Sequence, residues 1–419
     1  MSPVTDAERP RVVVTGMGVK TPAGTDVDTF WERLAAGQSM AGPIEGFDTS
    51  EHPVKFACEV RGFDPEPYLG TKEARRADRI AQLGVSAAAD ALTDAGDLET
   101  DPARCAVVSG TGVGGLQTLE AQERIYLEKG AERVSPFFVP MMMPNATGAL
   151  VAMRGGFTGP NITLTTACAA GAHAIGEAAR MVRDGSVDVA VAGGAEAAVT
   201  PVALAAFWRM GALSGRVDDP QRAARPFDAD RDGFVMAEGA AFVVLETLEH
   251  AQGRGARIWG EVLGYGRNCD AFHITAPSPS GAGAAACMLS ALDDAGIPAG
   301  AVSHINAHGT STPLNDEAEA TAIAKVFGEG SVPVTGTKGV TGHLVGAAGA
   351  AEAVAVLLSL HHGLVPPTAN HEHTDPAIAI DVVAGDPRPI EPDPALSNSF
   401  GFGGHNASLV FGRTPASAA

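Results

Sequence analysis

Short apolar runs, each stopped by glycine or a polar turn, punctuate the chain. The run RVVVTG at 11–16 shows no polar alternation, so it predicts a strand buried on both faces that enters a glycine turn. CAVVSGTGVGG (105–115), VDVAVAGGAEAA (187–198) and AAFVVLETL (240–248) repeat that pattern. Residues 72–95 carry apolar positions at helical spacing behind a basic first turn. The second half follows the same grammar. Residues 302–328 read as strand, loop and helix, 332–358 as strand, loop and small-residue helix, and 395–412 as two strands around a glycine loop.

GAHAIGEAARMV (171–182) and GAAGAAEAVAVL (346–357) each follow a strand and a polar loop, which suggests an internal duplication. Its seam falls near HAQGRGARI at 250–258, giving halves 1–255 and 256–419 that pack as one body. Strands alternating with helices predict an α/β protein with a largely parallel, buried sheet in each half. HLVGAAGAAEAVAVLLSL (343–360) is long enough to cross a membrane, but it carries His343 and Glu352 among Ala and Gly and reads as a buried core helix.

Composition narrows the classes. With 419 residues, 45% hydrophobic and 19% charged, the chain can bury a large core without disulfides or metals. A formal net charge of −20 argues against nonspecific nucleic-acid binding, which depends on neutralising phosphates. Five cysteines without a CxxC pair, and an opening segment without a basic-then-apolar leader, fit a reduced cytoplasmic compartment and no membrane attachment.

Two motifs are decoys. GTGVGG (110–115) satisfies G-x-G-x-x-G, yet no second strand ending in a ribose-binding acid follows. DADRDGFVMAEG (228–239) nearly spells a calcium loop, but Glu238 comes one residue early and a strand follows. Cys168 is different. It stands where the β-branched run TLTT gives way to helix formers, so unpaired N–H groups and the helix dipole would favour its thiolate. That stretch alone fits a nucleophile and a buried core filler equally well. Three loops at strand ends add His308, then Lys338 and His343, then glycines 401, 403 and 404. Such loops gather at one face of a parallel sheet, and two histidines with a lysine there tip the balance toward a site. Glu352, alone in an apolar helix, needs a partner, and Lys338 is the candidate. His361, His362, His371 and His373 read as solvated rather than metal-binding, and no metal is expected.

TACAAG, NAHGTSTPLND, GTKGVTGHLVGAAGA and SNSFGFGGHNA, in this order, resemble the β-ketoacyl-acyl-carrier-protein synthases of the thiolase superfamily, the elongating type. The likeness runs from RVVVTGMGVKTPAG to LVFGR, and ARPFDADRDGFVMAEGA belongs to it, so the near-calcium loop is structural. The resemblance implies a thiolase-like five-layer α-β-α-β-α fold of two duplicated halves. It implies a Cys–His–His site in which Cys168 accepts an acyl chain, with Lys338 ordering the site. The N–H groups of Cys168 and Phe402 would form the oxyanion hole, and Phe402 would gate the acyl pocket. His308 and His343 would assist loss of CO2 from malonyl-carrier protein. Thr310 and Thr312 match positions that bond the pantetheine arm, and Val113 one that limits chain length. Phe400 and Glu352 complete the expected substrate-binding set.

Substrates would ride on the phosphopantetheine of an acyl carrier protein, with no separate cofactor. Lys72, Arg75 and Arg76 sit where the family has docking cations; a further family arginine is Gly211 here, with Arg209 two residues earlier. Other departures are Lys20 in a usually apolar slot, Ala170 for serine or glycine, and His405 for threonine. The resemblance also implies a dimer, either a homodimer or a heterodimer with a chain-length-factor-like subunit, with PFFVPMMMPNATG (136–148) at the interface. Three rivals fare worse. A chain-length factor itself typically lacks the cysteine, a coenzyme-A thiolase brings a second one, and a papain-type peptidase needs a C-G-x-C-W signature absent here.

Overall fold

The apolar runs become strands of one eleven-stranded sheet. The computed structural model describes residues 9–391 and 394–414; residues 1–8, on which the leader expectation rests, lie outside the described residues. The sheet order is Asp381–Val382, Pro333–Thr335, His304–Asn306, Ala395–Gly401, His405–Gly412, Gly260–Cys269, Val12–Lys20, Gly239–Thr247, Val189–Glu196, Cys105–Gly110 and Asn161–Leu164. Setting the outermost Asp381–Val382 aside and counting strands along each half, both halves have the order 3-2-4-5-1. The directions match as well: strand 2 is parallel to 3 and 4, whereas 4–5 and 5–1 are antiparallel. The first strands of the two halves pair antiparallel, Val12 opposite Val262, and join the halves into one sheet.

The sheet is therefore mixed, not largely parallel. A strand buried on both faces is apolar throughout whichever way its neighbours run, so the hydrophobic pattern carries no direction. A second difference lies at 72–95. The chain forms two helices there, Glu66–Ala74 and Arg79–Ala95, because the Asp78 carboxylate caps a new start by accepting from the Ile80 N–H at 3.0 Å.

Helix Arg79–Ala95 covers strands Val12–Lys20 and Gly239–Thr247 on one outside, and Ala282–Ala295 covers Gly260–Cys269 and His405–Gly412 on the other. Gly16 and Gly18 make the first contact possible: a Cβ there would lie 2.0 and 2.1 Å from the Ala91 and Ala87 carbonyl oxygens. Gly264 and Gly266 do the same against Ala291 and Cys287, at 2.2 and 2.1 Å. Between the sheet halves lie helices Ala170–Arg183 and Ala348–His362, packed on each other. The result is the five-layer arrangement. Of the segment Val345–His362, 89% is buried, so the apolar run is a core helix. His361 and His362 at its end are exposed but rest on aromatic rings, His362 stacked on Trp31 and His361 edge-on to Trp259.

Both middle helices start alike. Ala167 (φ +50°) opens a 3-10 turn Ala167–Ala169, and Val345 (φ +47°) opens Val345–Ala347. The duplication thus aligns ACAAGA with VGAAGA, Gly171 with Gly349. The expected register, Gly171 with Gly346, is three residues out, because the common alanines and glycines match in several registers and only the strained residue fixes one. The near-calcium loop is a structural knot: the Asp228 carboxylate binds Arg225 at 2.8 Å and accepts from the Glu372 and His373 N–H groups at 2.7 and 3.0 Å.

Candidate active site

The strand Asn161–Leu164 ends three residues before the left-handed Ala167, a conformation that costs a β-carbon residue on the order of 1 kcal/mol. The turn delivers Cys168 to the start of helix Ala170–Arg183 with its thiol 3.1 Å from Nε2 of His343. Facing it is the glycine loop at 401–404, which can come this close because Gly401 has no side chain. A Cβ there would lie 3.0 Å from the Thr166 carbonyl oxygen and 3.1 Å from the Cys168 nitrogen. Burial pushes the Cys168 thiol up to about 11, against the pull of Lys338 and of the N–H groups of Phe402 and Cys168 itself. The expected thiolate preference is therefore outweighed at rest, since desolvation disfavours the ion more than dipoles and a lysine favour it.

His308 follows the strand His304–Asn306, and His343 follows the short helix Lys338–Thr341. Their rings stand edge to face with centroids 5.4 Å apart, and Phe234 abuts the His343 ring at 5.2 Å. Burial, and then the nearby Lys338 charge, hold both imidazoles well below their ordinary range, so both are neutral.

Lys338 organises this pair while lying behind it. Its ammonium donates to the His308 carbonyl oxygen at 2.6 Å and to the Glu352 carboxylate, and lies 3.3 Å from Nδ1 of His308. An ammonium has three protons and no lone pair, so Nδ1 of His308 is an acceptor and its Nε2 carries the hydrogen. Nδ1 of His343 has no partner among the described residues, so nothing on that side fixes its tautomer. Glu352 pairs with Lys338 as expected, and burial pushes its carboxyl up against the lysine's pull. It does not line the cavity, however, so its place in the substrate-binding set is corrected: it holds the lysine.

The cavity above the thiol measures about 440 Å³ and is lined by Val113, Thr310, Thr312, Phe400 and Phe402, among others. The two threonine hydroxyls lie 2.9 Å apart, and the Phe402 ring faces Phe207 at 6.5 Å. A second cavity of about 500 Å³ lies between residues 45–63 and helix Leu116–Lys129. It holds no nucleophile, and its buried charge is spent on an Arg79–Glu238 pair at 2.6 Å. Among the expected docking cations, Lys72, Arg75 and Arg76 are exposed together, and Arg76 lies over the Phe137 ring at 4.2 Å. Arg209 is exposed on another helix, Pro201–Arg209, just before Met210 and Gly211 of the cavity wall.

Two buried carboxylates were missed by the sequence reading. Glu319 accepts from the His308 and Gly309 N–H groups, both at 2.8 Å, and so aims the histidine loop. Glu196 accepts from Gly112 at 2.6 Å and Gly346 at 3.1 Å, tying a loop of one half to a turn of the other. Burial pushes both up to about 7. The first had a signal. Asp316, Glu319, Ala320 and Ile323 share one face of a helix, so two acids sit on an apolar stripe.

Comparison with known proteins agrees with this geometry. Residues 9–251 match the model of the β-ketoacyl synthase N-terminal domain, and 259–372 that of the C-terminal domain. The chain is 48% identical over 410 residues to 3-oxoacyl-[acyl-carrier-protein] synthase 2 of Synechocystis sp., covering 96% of this chain and 98% of that protein. The corresponding Vibrio cholerae protein is 46% identical over 409 residues, with 96% and 99% covered. Among solved structures, the ishigamide ketosynthase/chain length factor superposes with a TM-score of 0.92 at 38% identity, over 97% of this chain and all (100%) of that one. A type II polyketide ketosynthase, bound to its acyl-carrier protein and a hexaketide, gives 0.88 at 31% identity over 97% and 100%. Two domain models that together match most of the chain, and relatives alike over nearly their whole length, settle the family: the chain belongs to the β-ketoacyl synthase family.

Proposed function

We propose that the chain catalyses a decarboxylative Claisen condensation, joining malonyl-carrier protein to an acyl group held on Cys168. The observation that carries this reading is the Cys168 thiol 3.1 Å from His343, beside a His308 whose tautomer Lys338 fixes. Sγ attacks the acyl thioester carbonyl while the thiol proton passes to Nε2 of His343. The departing pantetheine sulfur takes that proton back from His343, and the covalent thioester splits one hard acyl transfer into two easier steps. Malonyl-carrier protein then binds with its thioester oxygen facing the Nε2–H of His308 and that of His343, whose unfixed tautomer lets Nε2 carry the hydrogen once the thiol is acylated. CO2 leaves, the enolate oxygen is held by those donors, and the carbanion attacks the Cys168 thioester. The N–H groups of Cys168 and Phe402 hold the tetrahedral oxyanion; the thiolate departs and regains a proton from solvent. The product is a β-ketoacyl-carrier protein two carbons longer. Loss of CO2 generates the carbanion, so the scheme uses no metal or redox cofactor.

The donor is an acyl carrier protein, with Thr310 and Thr312 on its pantetheine arm and Lys72, Arg75, Arg76 and Arg209 on its acidic surface. A dimer is part of the proposal. The edge strand Asn161–Leu164 is open, Ile162 on it is exposed, and Phe137, Val139 and Met143 nearby are exposed too. An apolar open edge next to the nucleophile turn calls for a partner strand. That strand comes from a second copy or from a chain-length-factor-like subunit, and the enzyme works in the cytoplasm. Fatty acid and polyketide elongation share this chemistry.

The test is intact mass and peptide mapping after mixing the enzyme with acyl-carrier proteins of graded chain length, followed by a malonyl-carrier protein chase. An adduct on the Cys168 peptide that disappears on chase, with an extended product, establishes the function. No adduct from any carrier, alone or with a partner subunit, overturns it.

A further inference from the structure

The two N–H donors that face the thiol come from opposite halves of the chain, Cys168 from the first and Phe402 from the second. Their spacing is therefore a property of how the halves meet. His173, buried on the first turns of helix Ala170–Arg183, stands at that junction. Its Nδ1 lies 2.7 Å from the Thr166 hydroxyl, and its ring stands edge to face with that of His405, centroids 6.5 Å apart, next to the Asn406 backbone. Thr166 precedes the strained Ala167 and leads the Cys168 turn. Asn406 follows the glycine loop that carries Phe402. Burial pushes the imidazole down to about 4, so the ring is neutral and pairs with the Thr166 hydroxyl as a neutral hydrogen-bonding group. No charge is available for chemistry, and the ring does not line the cavity.

We propose that His173 is a positioning residue: through its bond to Thr166 on one side and its packing against the His405–Asn406 segment on the other, it sets the separation of the two N–H donors that receive the oxyanion. This deepens the ketosynthase reading, since those donors matter only if Cys168 takes part in acyl transfer. Ala167 would otherwise be free to relax its left-handed backbone and carry the Cys168 N–H away. One lost or misaimed oxyanion donor costs about 10²–10³-fold in rate, so a partial displacement costs at least about tenfold.

The experiment compares two reactions of Cys168. Iodoacetamide alkylates the sulfur by direct displacement and forms no oxyanion. p-Nitrophenyl octanoate acylates it through a tetrahedral oxyanion and needs no carrier protein, so this readout does not depend on the natural donor. The variants are Thr166→Val, Thr166→Ser, His173→Gln and the Thr166→Val/His173→Gln double. We expect T166V and H173Q each to slow acylation at least about tenfold while alkylation stays within about threefold. T166S keeps the hydroxyl and restores acylation, and the double variant is no worse than the worse single one. Unchanged acylation in both single variants overturns the proposal. Acylation and alkylation falling together also overturn it, because that is what a loosened fold produces. A wild type that is acylated by the nitrophenyl ester but by no acyl-carrier protein overturns the proposed function and leaves this assignment standing.

Discussion

Replacing Lys338 by methionine separates what the lysine does for chemistry from what it does for the fold. The side chain keeps its length and loses its charge, so three bonds vanish: to the His308 carbonyl, to His308 Nδ1 and to Glu352. His308 is then free to place its hydrogen on either nitrogen, and the Nε2–H donor aimed at the malonyl oxygen is no longer guaranteed. A lost donor of this kind costs about 10²–10³-fold, or about 2.7–4 kcal/mol of barrier. Lys338 also pulls the thiol down, so Cys168 acylation falls as well, but this effect opposes only part of the desolvation. We expect conversion of malonyl- to acetyl-carrier protein to drop at least about 10²-fold, and Cys168 acylation to drop at least tenfold less than that. Stability falls too, because breaking a buried pair by removing one partner costs about 3–5 kcal/mol. Protonation of Glu352 caps that figure, as its carboxyl is already pushed up by burial. The K338M/E352M double variant removes both charges, so its Tm recovers while decarboxylation does not. Intact-mass kinetics and thermal unfolding read the two effects separately. K338M decarboxylating within threefold of wild type would refute the tautomer argument.

Glu319 predicts a pH dependence of stability. Its folded pKa, about 7, lies above the ordinary 4.5, so between those values the folded state holds a proton that the unfolded state has lost. Unfolding free energy therefore falls as pH rises from 4.5 to 7, by on the order of 3 kcal/mol at most, and levels off above. Urea unfolding from pH 5 to 8 checks this; Glu196 and Glu352 contribute in the same window, so E319Q should make the slope shallower without abolishing it, and an identical slope would show that Glu319 does not titrate. Gly401→Ala places a Cβ 3.0 Å from the Thr166 oxygen, so the Phe402 loop must retreat by a few tenths of an ångström. Acylation by p-nitrophenyl octanoate should slow about tenfold, as for a partly misaimed donor, and a wild-type rate would mean the loop adapts freely. Val113→Phe fills part of the cavity wall, so long acyl groups should lose their Cys168 adduct while short ones keep it in the graded-chain assay. Equal loss at every length would place Val113 outside the acyl path.

What could be read from the sequence, and what could not, follows from the range of the interactions involved. Strands and core helices were legible because burial writes itself into composition: Val12–Lys20 and Ala348–His362 are apolar over nearly their whole length. Strand direction was not, because an all-buried strand looks alike in either sense. Cys168 as a helix-start thiol could be placed, but its charge state could not. The dipole is a local property, whereas desolvation depends on everything that closes over the sulfur. Lys338 and Glu352 were paired from the cost of leaving an acid alone in an apolar helix, yet that cost does not say which wall faces the substrate. The duplication had a signal left unused: GMG at 16–18 and GYG at 264–266 occupy the first strand of each half and meet their helices identically.

That duplication also explains how a buried acid and a nucleophile come to share one site. The two strained turns are the same structure used twice, Ala167–Ala169 with Cys168 in the middle and Val345–Ala347 with Gly346 in the middle. A turn that starts a helix offers free N–H groups whatever its side chain. In the first half they surround a sulfur and face the cavity. In the second, glycine leaves the position bare, and its N–H donates to the Glu196 carboxylate at 3.1 Å. Glu196 also holds Gly112, next to Val113 of the cavity wall. The second turn is thus a clamp that fixes the first half's pocket against the second half's histidine loop, while the first turn keeps its donors for the substrate. Placing a cysteine at Gly346 would not make a second nucleophilic site, because a Cβ there would sit 2.4 Å from the Gly112 nitrogen.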